Sequence, residues 1–109
     1  MSGLDLLPSR LAKQARIYEG EPYWPLTRAG EVVDALARAG RAVTGIEQMR
    51  FEAGFTGPRV LRFSSYRLKS TASWSEVVED ARLKAHAALT RMSGEDTVCQ
   101  ISWCADPAT

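Results

Sequence analysis

The apolar spacing of this chain changes period once near its middle, and that change constrains the fold more than any other feature. After Thr27, which can cap a helix, Ala29, Val32, Val33 and Leu36 share one side of a 3.6-residue period while Arg28, Glu31, Asp34 and Arg38 share the other. This predicts a helix over 28–39, ended by Gly40 in the left-handed conformation. Residues 41–52 then follow the two-residue alternation of a strand. After the glycine-bearing link Gly54-Phe55-Thr56-Gly57, a second extended run over 59–68 carries Val60, Leu61, Phe63 and Tyr66, which makes a hairpin.

A longer helix follows. Trp74, Val77, Val78, Ala81, Ala85, Leu89 and Met92 form its stripe, with Ser73 at the cap and Glu76 three residues on, the spacing of a capping box. Upstream, Leu4, Leu7, Leu11, Ala15 and Tyr18 predict a short helix from Ser9 to Ile17 that starts after Pro8. The segment 19–25, broken by Gly20, Pro22 and Pro25, reads as an aromatic loop. Thr97, Cys99, Ile101 and Trp103 alternate with Val98, Gln100 and Ser102, so a last strand is expected. The order α-α-β-β-α-β, with a right-handed crossover before the last strand, gives one α+β domain over 1–109. The expected sheet is small, antiparallel or mixed, and three-stranded in the order 2-1-3. About three helices would cover one face and leave the other open.

Composition narrows the function classes. With 109 residues, 45% hydrophobic and 25% charged, the chain is an ordinary globule with one modest core. Fourteen Lys+Arg against thirteen Asp+Glu give a net charge of +1, which advertises no nucleic-acid partner. No run of about 18 apolar residues exists and the first residues carry Asp5, so neither a membrane span nor a secretion leader is expected, and the chain is placed in the cytoplasm. Cys99 and Cys104 sit at odd spacing on one extended segment and point to opposite faces, so both are expected as reduced core residues. Two thiols and a single histidine do not make a metal site. That histidine, His86, lies off the apolar stripe near Arg82 and Thr90, and its own helix supplies no carboxylate or nucleophile. No phosphate-cradling glycine motif is present. Neither an enzyme nor a cofactor is expected.

Glu47 is more informative. Strict alternation sets it on a face with Val43, Gly45, Met49 and Phe51, where a lone carboxylate is costly to desolvate. Three resolutions are open: a bulge at Gly45 that returns it to solvent, an Arg partner, or a face covered by another molecule. Arg50, Arg59, Arg62 and Arg67 populate the same hairpin together with Tyr66. Glu47 and Glu52 dilute any basic groove for nucleic acid, so a solvated, cross-strand-paired face is the plainer account and a protein interface the sharper one.

The run Glu21-Pro22-Tyr23-Trp24, the helix with Val32-Val33-Asp34-Ala35-Leu36, and Ala39-Gly40-Arg41-Ala42-Val43-Thr44-Gly45-Ile46-Glu47 resemble the immunity protein 40 family of bacterial polymorphic toxin systems. Ser73-Trp74-Ser75-Glu76-Val77-Val78 and its helix are similar to that family's second half. The resemblance covers about residues 17–103 and implies a non-enzymatic cytoplasmic antidote that binds and neutralises a cognate toxin. The contact residues expected for such a partner are Glu47, Arg50, Arg62 and Tyr66. The alternative is a structural or regulatory module that homodimerises through the open face or an edge strand.

Overall fold

The computed structural model describes residues 4–51, 58–69, 73–94 and 96–108. A 3-10 turn, Leu4–Leu6, precedes helix α1 (Ser9–Gln14), strands β1 (Arg16–Tyr18) and β2 (Glu21–Pro25), and helix α2 (Leu26–Arg38). Strands β3 (Ala42–Phe51) and β4 (Pro58–Ser65), helix α3 (Trp74–Thr90) and strand β5 (Val98–Cys104) follow. The sheet order is β1-β2-β5-β3-β4 and every neighbouring pair is antiparallel. The α+β class is as expected, and the three strands foreseen from periodicity lie side by side as β4-β3-β5. The expected three-stranded sheet is corrected to five strands. The hairpin link with Gly54 and Gly57 lies outside the described residues, as do Glu52 and Glu95.

The two additional strands come from the segment that reads as a loop. Glu19 and Gly20 take φ of 50° and 80°, and Tyr18 pairs with Glu21 across them. Two positive-φ residues make the tight turn whose twist matches its flanking strands, so the chain reverses there as a hairpin. Pro22 is tolerated because β2 meets β5 only at Trp24 and Pro25, leaving Pro22 paired on one side alone. Claiming 16–18 for a strand also shortens the first helix, expected to reach Ile17, to Gln14, and Ala15 is already extended at ψ 136°. Pro25, not Thr27, stands at the start of α2, and no side chain caps it.

At the other end of α2, Gly40 has φ 75°. Its N–H donates to Ala37 O at 3.0 Å and that of Arg41 to Leu36 O at 2.9 Å, which satisfies the carbonyls the helix end would orphan. The Ser73 hydroxyl accepts from the Glu76 N–H at 3.4 Å and donates to the Glu76 carboxylate at 3.1 Å, fixing the first turn of α3.

One cluster unites all three helices with one phase of the sheet. Leu11, Val32, Val33, Leu36 and Ala85 pack against Trp24, Val43, Ile46, Cys99 and Ile101. Each large side chain removed from water here contributes roughly 1.5–3 kcal/mol. The Trp24 indole N–H, fully buried, donates to Leu11 O at 2.9 Å and pins α1 to the sheet. Trp74 donates to Gly40 O at 2.8 Å and ties the start of α3 to the end of α2. No described helix packs on the sheet's other face.

Candidate functional site: the second sheet face

Two irregularities in β3 pairing decide what that face displays. Val43 pairs with Trp103 and Gly45 with Ser102, so Thr44 is an extra residue against β5. The phase therefore flips: Val43 and Ile46 both face the helices, whereas Gly45, Glu47, Met49 and Phe51 turn to the second face. The bulge expected near Gly45 is present, but it removes only Val43 from that face: Glu47 stays half-buried in phase with Gly45, Met49 and Phe51. Among the described residues no Lys or Arg forms a salt bridge with Glu47. A Cβ on Gly45 would lie 3.1 Å from Ser64 O, so a side chain there would press on the β4 backbone. The second irregularity lies between Gln48↔Arg62 and Met49↔Val60, which makes Leu61 the extra residue and sets both Val60 and Leu61 against Met49.

From end to end, this face changes character. At the β1–β2 end, Tyr18, Tyr23 and Phe51 meet edge to face with centroids 5.4–6.5 Å apart, and Arg16 lies 3.8 Å over the Phe51 ring. Burial raises the Tyr23 phenol, and the charges of Glu21, Glu47 and Glu19 raise it further. In the middle, half-buried Glu47 is flanked across the strands by Gln100 and Phe63. At the β4 end, Val60, Leu61 and Phe63 are 53%, 42% and 60% exposed. These large apolar side chains stand open on neighbouring positions of an edge strand.

The four residues expected to act together are not brought to one face. Glu47 and Phe63 share the second face, whereas Arg62 pairs with Gln48, whose amide donates to Ser93 O at 2.9 Å and Thr97 Oγ1 at 3.1 Å on the helix side. Arg50 has the same phase as Gln48, near Gly94. Tyr66 packs against the helix-side core. Burial pushes its phenol up, the Ser64 hydroxyl and Arg91 offset this only in part, and the hydroxyl meets no partner within good hydrogen-bond geometry. Phe63 and Val60 are the face residues that sequence reasoning left unassigned. They stood out in the sequence only as part of an extended run, and their odd spacing would set them on opposite faces but for the bulge at Leu61.

His86 does find a carboxylate, on a neighbouring helix. Its Nε2 lies 2.7 Å from Asp34 Oδ1 of α2, and Arg82 reaches the same oxygen at 3.3 Å while also pairing with Glu79. Burial works to raise the Asp34 carboxyl, but His86 and then Arg82 outweigh it and hold it below the usual value. Asp34, Arg82 and Trp74 border a cavity of about 590 Å³ whose lining includes Ser75 but not His86. Ser75 and His86 lie on one helix about 16 Å apart along its axis, so Ser75 is out of the histidine's reach, and the His86–Asp34 pair bridges α3 and α2. Cys99 is fully buried and its thiol is pushed up to about 12 by burial, while Cys104 is half-buried, and both are free. Among the described residues no group of three or more His, Cys, Asp or Glu can hold a metal ion. Nor is any described helix long and apolar enough to cross a membrane.

Compared with models of known protein families, with the curated proteins and with solved structures, the chain matches none.

Proposed function

We propose that this chain is a non-enzymatic, cytoplasmic immunity protein that neutralises a cognate toxin by docking its second sheet face on it. One observation carries the reading: a contiguous apolar strip, Val60, Leu61 and Phe63, is left in water beside Glu47 on a face that no described helix covers. Solvating such a strip is unfavourable by about 25 cal/mol per Å² of apolar surface, so a partner that covers it recovers that free energy. A five-stranded sheet offers enough area for an interface of ~800 Å² per partner. The resemblance of Glu21-Pro22-Tyr23-Trp24 and of 39–47 to immunity protein 40 sequences supports a toxin as that partner.

The test is co-expression with the product of the neighbouring gene. We expect a complex that survives gel filtration and rescue of growth. Phe63→Ser and Glu47→Arg should weaken both without lowering the thermal midpoint, because both side chains stand outside the helix-side core. A neighbouring product that is no toxin, with no tight complex, refutes the reading. The homodimer is the second reading, and the exposed strip on an edge strand favours it. Sedimentation equilibrium showing a stable dimer with Phe63 buried would replace the first reading with the second.

A further inference from the structure

Resting on that reading, we propose that the partner anchors on the second face through a cationic side chain, an arginine or lysine whose apolar stem lies along Phe63 and whose charged head meets Glu47. The two residues are directly opposed across β3 and β4, which sets their Cβ atoms about 5 Å apart. Phe63 is 60% exposed, whereas Glu47 is half-buried. A partner that covers the ring therefore takes water from the carboxylate as well. A desolvated carboxylate left without a cation is costly, so the same partner has to supply one. An open ring beside a recessed carboxylate fits an amphipathic cation, which buries its methylene stem and still pairs its head.

No lysine or arginine of the chain itself plays that part. All fourteen fall within the described residues, and none forms a salt bridge with Glu47. Among the described strand residues that share this face, Arg16 is the one cation, and it is engaged over the Phe51 ring. Arg50, Arg59 and Arg62 take the other phase, and Arg67 follows β4 without pairing with Glu47. Glu21 has the phase of Tyr23, and Glu19 stands in the turn before it. Burial raises the Tyr23 phenol, and Glu21, Glu47 and Glu19 add to this with no cation offsetting them. The face is thus locally acidic at this end in a chain of net charge +1.

Arg16 shows that the face accepts a cation on its rings. Its guanidinium lies 3.8 Å over Phe51, a ring that Tyr18 and Tyr23 meet edge to face. Other occupants fit less well. Single-stranded nucleic acid would bring phosphates to Glu21 and Glu47 beside the very rings its bases would stack on. A second copy of the chain laid face to face repeats the same carboxylates on both sides of the contact. A partner that is apolar throughout covers Phe63 and leaves Glu47 without a counter-charge.

The test titrates the isotope-labelled full chain with three capped pentapeptides, Leu-Arg-Leu-Arg-Leu and its Gln and Glu counterparts, and follows the side-chain shifts of Glu47 and Phe63. We expect saturable binding in the order Arg, Gln, Glu, with the Arg peptide weakening as salt is raised. Glu47→Gln should weaken the Arg peptide about fivefold and leave the Gln peptide unchanged, whereas Phe63→Ser should weaken both. Because no Lys or Arg of the chain forms a salt bridge with Glu47, Glu47→Gln should also leave the thermal midpoint in place. Equal binding of the Arg and Gln peptides, a preference for Arg that survives Glu47→Gln, no saturable binding, or a midpoint lowered by Glu47→Gln would each overturn the inference. A toxin complex that Glu47→Gln leaves at full affinity also overturns it while the immunity function stands. A missing toxin complex overturns that function, and the peptide titration then judges the anchor on its own.

Discussion

Gly45→Ala tests the bulge on which the composition of the second face depends. The backbone there is not in the left-handed region, so alanine suits its conformation and removes the entropic penalty of a strand glycine, a gain of about 0.5–1 kcal/mol. Against this, the new methyl would sit 3.1 Å from Ser64 O and 3.7 Å from Ser65 Cα. The nearer atom is a backbone carbonyl in a paired strand, which cannot rotate away as a side chain would. Overpacking costs roughly 1–3 kcal/mol, and because the carbonyl is held in a paired strand the upper part of that range applies, leaving a net loss of about 1–2 kcal/mol after the gain. At about 4–8 °C per kcal/mol for a domain near this size, the thermal midpoint should fall by roughly 5–15 °C. Thermal unfolding by circular dichroism reads this directly, and amide exchange at 43–47 and 63–65 should rise in parallel. A midpoint unchanged or raised would mean that β3 and β4 are not closely apposed at Gly45, and the phase assigned to Glu47 and Phe63 would lose its support.

Gln48→Leu leaves Ser93 O without its donor, whereas Thr97 retains Gly94 O at 2.8 Å; a loss of about 1–3 kcal/mol is expected, read as a lower urea midpoint at unchanged slope. Asp34 is held below the usual carboxylate value in the folded chain, so the unfolded chain binds that proton more readily. Its stabilisation is full above the unfolded value and fades as pH falls through that value toward the lower folded one. Asp34→Asn should therefore flatten the acid limb of the stability curve by less than about 1 kcal/mol, since the carboxylate is 38% exposed. An aromatic disulfide reagent should label half-buried Cys104 in the native protein and Cys99 only on unfolding. Equal native rates would refute the burial assigned to Cys99.

Much of the helical half was legible, because a helix announces itself through contacts that are local in sequence. The stripes of α2 and α3, Gly40 at one end and Ser73 at the other all involve residues within a few positions of one another. The β1–β2 hairpin was not legible as strands. Pro22 and Pro25 mask alternation, and the turn rests on Glu19 taking a positive φ that its residue type does not favour. His86 looked partnerless because its carboxylate comes from α2, 52 positions earlier.

The sequence by itself determined an α+β domain, the β4-β3-β5 neighbourhood and the side of each helix that is buried. Only the tertiary structure decided the phase of each strand residue around a bulge. The physical reason is that alternation is a property of one strand, whereas a bulge is a mismatch in count between two. Whether Thr44 and Leu61 are extra residues depends on the strands laid beside them. That count, fixed when β3, β4 and β5 pair, sets Val43 on the face of Ile46 and Val60 on the face of Phe63, whereas the separation of Glu47 from Arg50 and of Phe63 from Arg62 and Tyr66 already lay in their odd spacing.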